Sequence, residues 1–281
     1  MDLADWVDQY PELRHEIIDF WLFVRGTPRD EAPPGGDFPS DDNGIAEGAL
    51  RDACLAINLG EQWLEPAFDR GAAEALQLAG QLESLRRRPR TGPGKAPVAF
   101  RKAVVWSWVV SVLEEHDREV SRITVQKIAY MLETSMELGV FNEYRRHLLG
   151  PYDHRARYRD AEPIAIKKNW LIVEGTRLRS GVHVSGAIRY AARYLRSERT
   201  ARELVSHLSA LTDAQLECLA TVHWTALDLI TKERPVSPDD IREALRETAE
   251  WRPKLRRPTF SKSSVGSALW ILRSLRLLPN P

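Results

Sequence analysis

Between Val98 and Glu115 the chain has the length of a helix but carries apolar residues on most of its circumference. Val104, Val105, Trp106, Trp108, Val109, Val110, Val112 and Leu113 leave almost no polar side. A surface helix needs an apolar stripe on one face only, so a helix of this kind has to be covered all round. It is therefore expected to be shared between two halves of the molecule. The most apolar run, Ala103 to Leu113, is roughly half the length needed to cross a bilayer, so core rather than membrane is its destination. The opening MDLADWVDQYPELRHE lacks the basic start and apolar centre of a signal peptide. Together these features predict a cytoplasmic protein, with Cys54 and Cys218 as reduced thiols inside apolar helical patterns.

The 281 residues suffice for two compact units. The first is an N-terminal helical domain, 1–95. Helices are predicted at Leu3–Val7, Pro11–Val24, Ile45–Leu59 and about Gly71–Arg87, with an acidic, Pro- and Gly-rich loop over 26–44. A basic linker, 86–97, leads to the second unit, 98–281. Forty basic and forty acidic side chains cancel overall, but not locally. Residues 1–50 hold twelve Asp or Glu against Arg14, Arg25 and Arg29, whereas 144–200 hold thirteen Arg or Lys against five acids. The two regions could attract one another or face different partners.

Residues 121–185 are the most informative. Val125, Ile128, Ala129, Leu132 and Met136 form one helical stripe, and Gly139 stands where a left-handed C-cap is expected. Gly150-Pro151-Tyr152-Asp153 is turn chemistry, with Asp153 suited to cap the next helix. That helix is expected to kink or restart at Glu162-Pro163. Leu171–Val173 and Val182–Val184 flank Gly175–Gly181, which reads as a hairpin with a basic tip, Arg177 and Arg179. Helix, turn, helix, hairpin is the order of a winged helix. Further helices are predicted over 185–197, 201–208, 213–230 (capped by Asp213), 237–251 and 261–278, with a basic loop over 252–258. The fold class is thus mainly α: an N-terminal helical domain, then a winged-helix-like domain with a small β-hairpin and a helical C-terminal part.

Motifs for chemistry are sparse. SKSSVGS lacks the spacing of a phosphate-binding loop, and neither HxxxH nor CxxC occurs. No metal or cofactor is expected. Cys218 and His223 are five apart on one helix and point in different directions; His223 and Trp224 read as core residues. Asp153, His154 and Glu162 are the best remaining acid–base set, but Asp153 already has a cap to make. Because asparagine caps equally well, capping alone predicts that Asp153→Asn is tolerated. Catalysis is not expected. Binding is better supported: Tyr144, Arg145, Arg146 and Tyr152 precede Arg155, Arg157, Tyr158, Arg159, Lys167 and Lys168, and the hairpin adds Arg177 and Arg179. Arginines supply phosphate contacts and aromatics stack on bases or fill a partner's pocket. A solvated helix face is the plainer reading of the same charges, since residues two apart face different sides.

VQKIAYMLE, HLLGPYD, IKKNWLIV and LECLATVHW, in this order, resemble the C-terminal domain of DarG-type antitoxins over roughly 121–281. Panacea-type antitoxin domains share a looser QK-hydrophobic-Y and GP pattern, and a module found beside DNA restriction systems is more distantly similar. The resemblance adds Lys127 and Tyr130 to the partner- or DNA-binding candidates. It implies a domain that binds and silences a toxin acting on thymidine in single-stranded DNA. The family's macrodomain has no likeness in residues 1–120, so removal of the modification is not expected here. The resulting expectation is a non-enzymatic, antitoxin-like or anti-phage defence protein that regulates a DNA-acting partner, a toxin or nuclease. The alternative is a winged-helix DNA-binding protein serving autoregulation or a restriction complex.

Overall fold

The computed structural model describes residues 72–87, 96–141 and 143–278. The helices expected before residue 71, the acidic loop 26–44, most of the basic linker and Cys54 lie outside the described residues. Within them the protein is mainly helical, with one small antiparallel sheet. Helix α1 (Ala72–Arg87) is followed by α2 (Val98–Glu114), β1 (Val120–Ser121) and α3 (Arg122–Met136). After a long connection come α4 (His154–Tyr158), α5 (Ala161–Lys167), β2 (Leu171–Glu174) and β3 (Arg177–Ser180). The C-terminal part comprises α6 (Val184–Ala191), α7 (Glu198–Ser209), α8 (Asp213–Thr231), α9 (Pro238–Glu247) and α10 (Lys262–Ser274). The sheet order is β1-β3-β2, with Val120 opposite Leu178 and Val173 opposite Leu178 on the other side. Among the described residues no helix is long and apolar enough to cross a membrane.

Helix α2 is the axis of the core. Every residue from Arg101 to Val110 is buried, and so are Val112 and Leu113. Its neighbours are α5, α6 and α7, strand β3 and α3, so elements later in the chain wrap it. Helix α1 instead packs on α3, α7 and α10. Arginines seal that junction by donating to carbonyls that helix ends leave without an internal partner. Arg86 donates to the Ser135 and Arg276 carbonyls at 3.0 and 2.8 Å. Arg196 reaches the Met136 carbonyl at 3.1 Å and also that of Leu85.

Several boundaries differ from those predicted, each for a local reason. Helix α3 ends two residues before the expected glycine cap. Glu137 takes the left-handed conformation (φ 51°), and its neighbour Glu133 accepts from the Gly139, Val140 and Phe141 amides. The chain breaks between α4 and α5 at Arg159-Asp160, ahead of Pro163, which sits in the first turn of α5 where an amide hydrogen is dispensable. The second hairpin strand is Arg177–Ser180, not 182–184, because Leu178 supplies the inward side chain and Val184 opens α6. Arg177 and Arg179 are therefore strand residues, and the turn is Gly175-Thr176. Helix α6 stops at Ala191, leaving Arg193 and Arg196 beyond it. Thr212, not Asp213, caps α8 in a capping box with Gln215, which frees Asp213 to accept from Ser121, Thr124 and Arg118. Helix α9 closes at Glu247 rather than Trp251, and the basic loop after it forms 3-10 turns at Arg252–Arg256 and Pro258–Phe260.

Trp108 is completely enclosed, with its indole N–H donating to Glu198 at 3.3 Å. Trp108→Ala should destabilise the protein by about 3–5 kcal/mol, as aromatic truncation in a close-packed core does. A chemical denaturation curve checks this; a midpoint equal to wild type would contradict the central position of α2.

Candidate functional site

The Gly150–Asp153 turn is assembled from the motif residues of α3. Gln126 holds Asp153 from both sides, donating from Nε2 to its carbonyl (3.0 Å) and accepting its amide hydrogen (3.2 Å). The adjacent Lys127 donates from Nζ to the Pro151 carbonyl at 2.7 Å. Tyr144 donates to the Gln126 carbonyl at 3.1 Å, and Arg145 pairs with Tyr152 through an isolated antiparallel bridge. Gly150 is required here: its φ is +87°, and a Cβ would lie 2.6 Å from Thr221 Oγ1. One turn along α3, Tyr130 meets His223 Nδ1 at 2.8 Å, while His223 Nε2 lies 3.2 Å from the Leu277 carbonyl. A carbonyl only accepts, so Nε2 carries the proton and Nδ1 accepts from the tyrosine. His223 is thus a partnered core residue. Lys127, Tyr130 and Tyr152 are buried, and Tyr144 packs against the core, so these candidates face inward and fix the turn.

Beneath the turn, Lys102 projects from α2 and is fully buried. Its ammonium lies 2.6 Å from Asp153, 3.0 Å from Glu143 and 3.4 Å from Asp160. Burial works against this charge, but the hydrogen bonds to Asp153 and Glu143 outweigh it and its pKa is raised. Asp153 also accepts the Ala156 amide at 3.0 Å, making the expected cap for α4. Glu162 turns inward too, chelated by the Arg122 guanidinium at 2.9–3.0 Å. On the other side of Lys127, Glu217 is buried against Lys254 and forked by Arg257 at 2.8 and 2.9 Å. Burial would raise that carboxyl, but the two cations hold it at about 2. Burial brings Lys127 down to about 7, since its hydrogen bond goes to a carbonyl and not to a carboxylate.

The remaining candidates face outward. Arg155 bonds Glu143 (3.1 Å) and Asp160 (3.6 Å). Arg157 lies 4.6 Å above the Tyr158 ring, which itself stacks on His154 at 5.8 Å. Lys168 sits over Phe100 and Trp170 at 5.8 and 5.5 Å. Arg146 approaches Asp228 at 3.4 Å and the Trp251 ring at 5.8 Å. Arg145, Arg159 and Lys167 are exposed and make no ion pair among the described residues. On the hairpin, Arg177 pairs with Glu119 at 2.7 Å and Arg179 with Glu174 at 3.4 Å.

The residual acid–base set is dispersed into other tasks: Asp153 serves Lys102 and the cap, Glu162 serves Arg122, and His154 lies in the aromatic stack. Burial pushes the Cys218 thiol up to about 12, which suits packing rather than nucleophilic attack. Among the described residues no three His, Cys, Asp or Glu are grouped to hold a metal ion. Sequence reasoning missed Lys102, Phe100 and Tyr190. The signal for Lys102 was present, a cation inside a stretch otherwise read as core, but its partners lie 41 or more residues away. Compared with known proteins, the chain matches no family model and no curated sequence.

Asp153→Asn preserves the cap but removes the nearest counter-charge from a fully buried ammonium. It should cost about 1.5–3 kcal/mol, the worth of one charge-assisted hydrogen bond, because Glu143 and Asp160 still face the ammonium, where capping alone predicts no loss; thermal or urea melts distinguish the two. Separately, burial lowers His147 to about 3 and His223 to about 4. Both lie below the unfolded value near 6.5, so the unfolded chain takes up protons first and stability is lost as pH falls from about 6.5 toward 4. The urea midpoint should decline already between pH 6.5 and 5, above the carboxylate range; a flat midpoint there would show that these rings are not buried neutral.

Proposed function

We propose that this chain is a non-enzymatic interaction module, antitoxin-like, that docks on a DNA-acting partner and regulates it. What supports a winged-helix-like reading is the element order: α2, β1, α3, the α4–α5 pair, then the β2–β3 hairpin, with β1 alongside β3. One feature departs from a simple helix-turn-helix. Residues 137–153 join α3 to α4, where three or four residues are usual. HLLGPYD forms the end of this insertion, and Gln126, Lys127 and Thr221 of two further motifs hold it, which supports a common scaffold with the antitoxin domains.

The observation that carries the docking reading is the charge pattern of the hairpin. Its two arginines are each matched by a carboxylate, Glu119 and Glu174, so the wing offers alternating charges rather than a cationic edge. A wing that holds a phosphate backbone needs net positive charge. Alternating charge with an apolar Ile172 beside it suits a folded protein surface, where rim charges set register and specificity. Exposed pairs of this kind contribute little to stability, so they are free to be remade with a partner.

The test uses a catalytically inactive DNA-modifying toxin of the resembled type, mixed with the purified chain and analysed by size-exclusion chromatography and calorimetry. A stable complex is expected with wild type, weakened at least tenfold by Arg177→Glu/Arg179→Glu. An unaltered affinity for the reversed hairpin would remove the wing from the interface. Absence of any complex, with the growth arrest caused by the active toxin unrelieved, would reject the antitoxin-like reading.

A further inference from the structure

Segregation of charge sets the α4–α5 segment apart from the hairpin. Both acids in 154–168, Asp160 and Glu162, are buried and already paired, Asp160 with Lys102 and Arg155 and Glu162 with Arg122. The cations of the same segment point outward. Arg155 is matched by Glu143 and Asp160. Arg159 and Lys167 make no ion pair among the described residues, and Lys168 lies over aromatic rings, which leave its charge unneutralised. Outward cations without counter-charges repel one another, and an anionic ligand relieves that repulsion.

Aromatic rings accompany the cations. Tyr158 is 37 % exposed, with the Arg157 guanidinium over its face. At the far end of the segment, the Lys168 ammonium overlies Phe100, which meets the 39 % exposed Tyr190 edge-on at 5.5 Å. Arg193 lies 5.7 Å from that Tyr190 ring. A duplex reader needs a helix long enough for a major groove and side chains that pair with base edges. Helix α5 has seven residues, about 10 Å, and exposes Pro163, Ile166 and Lys167, of which only the last has a group that pairs with a base edge. Cations with interleaved rings are the means by which proteins hold single strands irrespective of sequence.

We infer that the α4–α5 face binds single-stranded nucleic acid, with Arg159, Lys167 and Lys168 on phosphates and Tyr190 against a base. This site uses residues other than those of the hairpin and does not depend on the docking proposal. It places a strand beside the surface offered to a DNA-acting protein.

Fluorescence anisotropy of the full chain with labelled dT20 across a salt series tests it. Three phosphate contacts predict a slope of log affinity against log salt of about −2, at roughly 0.7 per contact on single strands. Arg159→Ala/Lys167→Ala, which disturbs no described ion pair, should flatten that slope by about 1.4 with an unchanged melting temperature. Arg177→Ala/Arg179→Ala should leave it unchanged. Tyr190→Phe should retain affinity and Tyr190→Ala should lose about tenfold, within the range for one stacked base. Failure to bind dT20 at the lowest salt overturns the inference. So does a 20-base-pair duplex that binds as tightly, displacement of dT20 by an equal charge concentration of polyglutamate, or an unaltered slope in the Arg159/Lys167 variant.

Discussion

A single buried ion pair, Lys102 with Asp153, joins the central helix to the surface that the rest of the chain presents. Taking two charges out of water is expensive, and the attraction between them compensates only when remaining polar atoms are also satisfied. Here they are. One carboxylate oxygen of Asp153 takes the ammonium and the other takes the Ala156 amide, while Gln126 bonds both its backbone groups. The same residue therefore neutralises the core lysine, starts α4 and closes the turn. Glu143 and Asp160 complete the shell around Lys102 and carry the connection outward to Arg155.

The second buried network, Glu217 with Lys254 and Arg257, plays the corresponding part for the C-terminal region. It ties the first half of α8 to the 3-10 turns after α9, a stretch whose prolines and basic residues give no regular helix. Between the two networks lies Lys127, fully enclosed and hydrogen-bonded to a carbonyl. Its neighbours, Gly150 and Thr221, are packed too tightly for any side chain at the glycine. The turn is consequently held from three helices, α2, α3 and α8, and the aromatic series His147, Tyr152, His154 and Tyr158 leads from it to the exterior.

Legibility in the sequence tracks the range of each interaction. The all-round burial of α2, the Asp153 cap and the core role of His223 depend on composition or neighbours within a few residues, and all were legible. The acid partners of Lys102 and Arg122 come from across the fold, and nothing local marks them. The second strand was missed because Arg-Leu-Arg-Ser has one apolar side chain, Leu178, to declare its inward face; two exposed arginines made it look like a tip. Gly139 is left-handed as expected (φ 64°), but Glu137 already takes that conformation and ends α3 two residues earlier, while Glu133 gathers the three backbone amides from Gly139 on. For the candidate site, residue type was legible but direction was not. Lys127 and Arg159 are both basic residues near the same turn, yet one is sealed within it and the other stands in solvent.

The wrapping of α2 also has a kinetic side. The helix emerges early, but the elements that cover it, from α3 to α7, end only at Ser209. At usual synthesis rates of about 5–20 residues per second, several seconds or more separate the appearance of its two tryptophans from completion of their shell. Throughout that interval a valine-rich segment that no local partner can cover lies open to association with other nascent chains. A fold centred on such a helix is committed to non-local closure, which slows folding, and its yield in the cell depends on what shields that segment while the C-terminal helices are still being made.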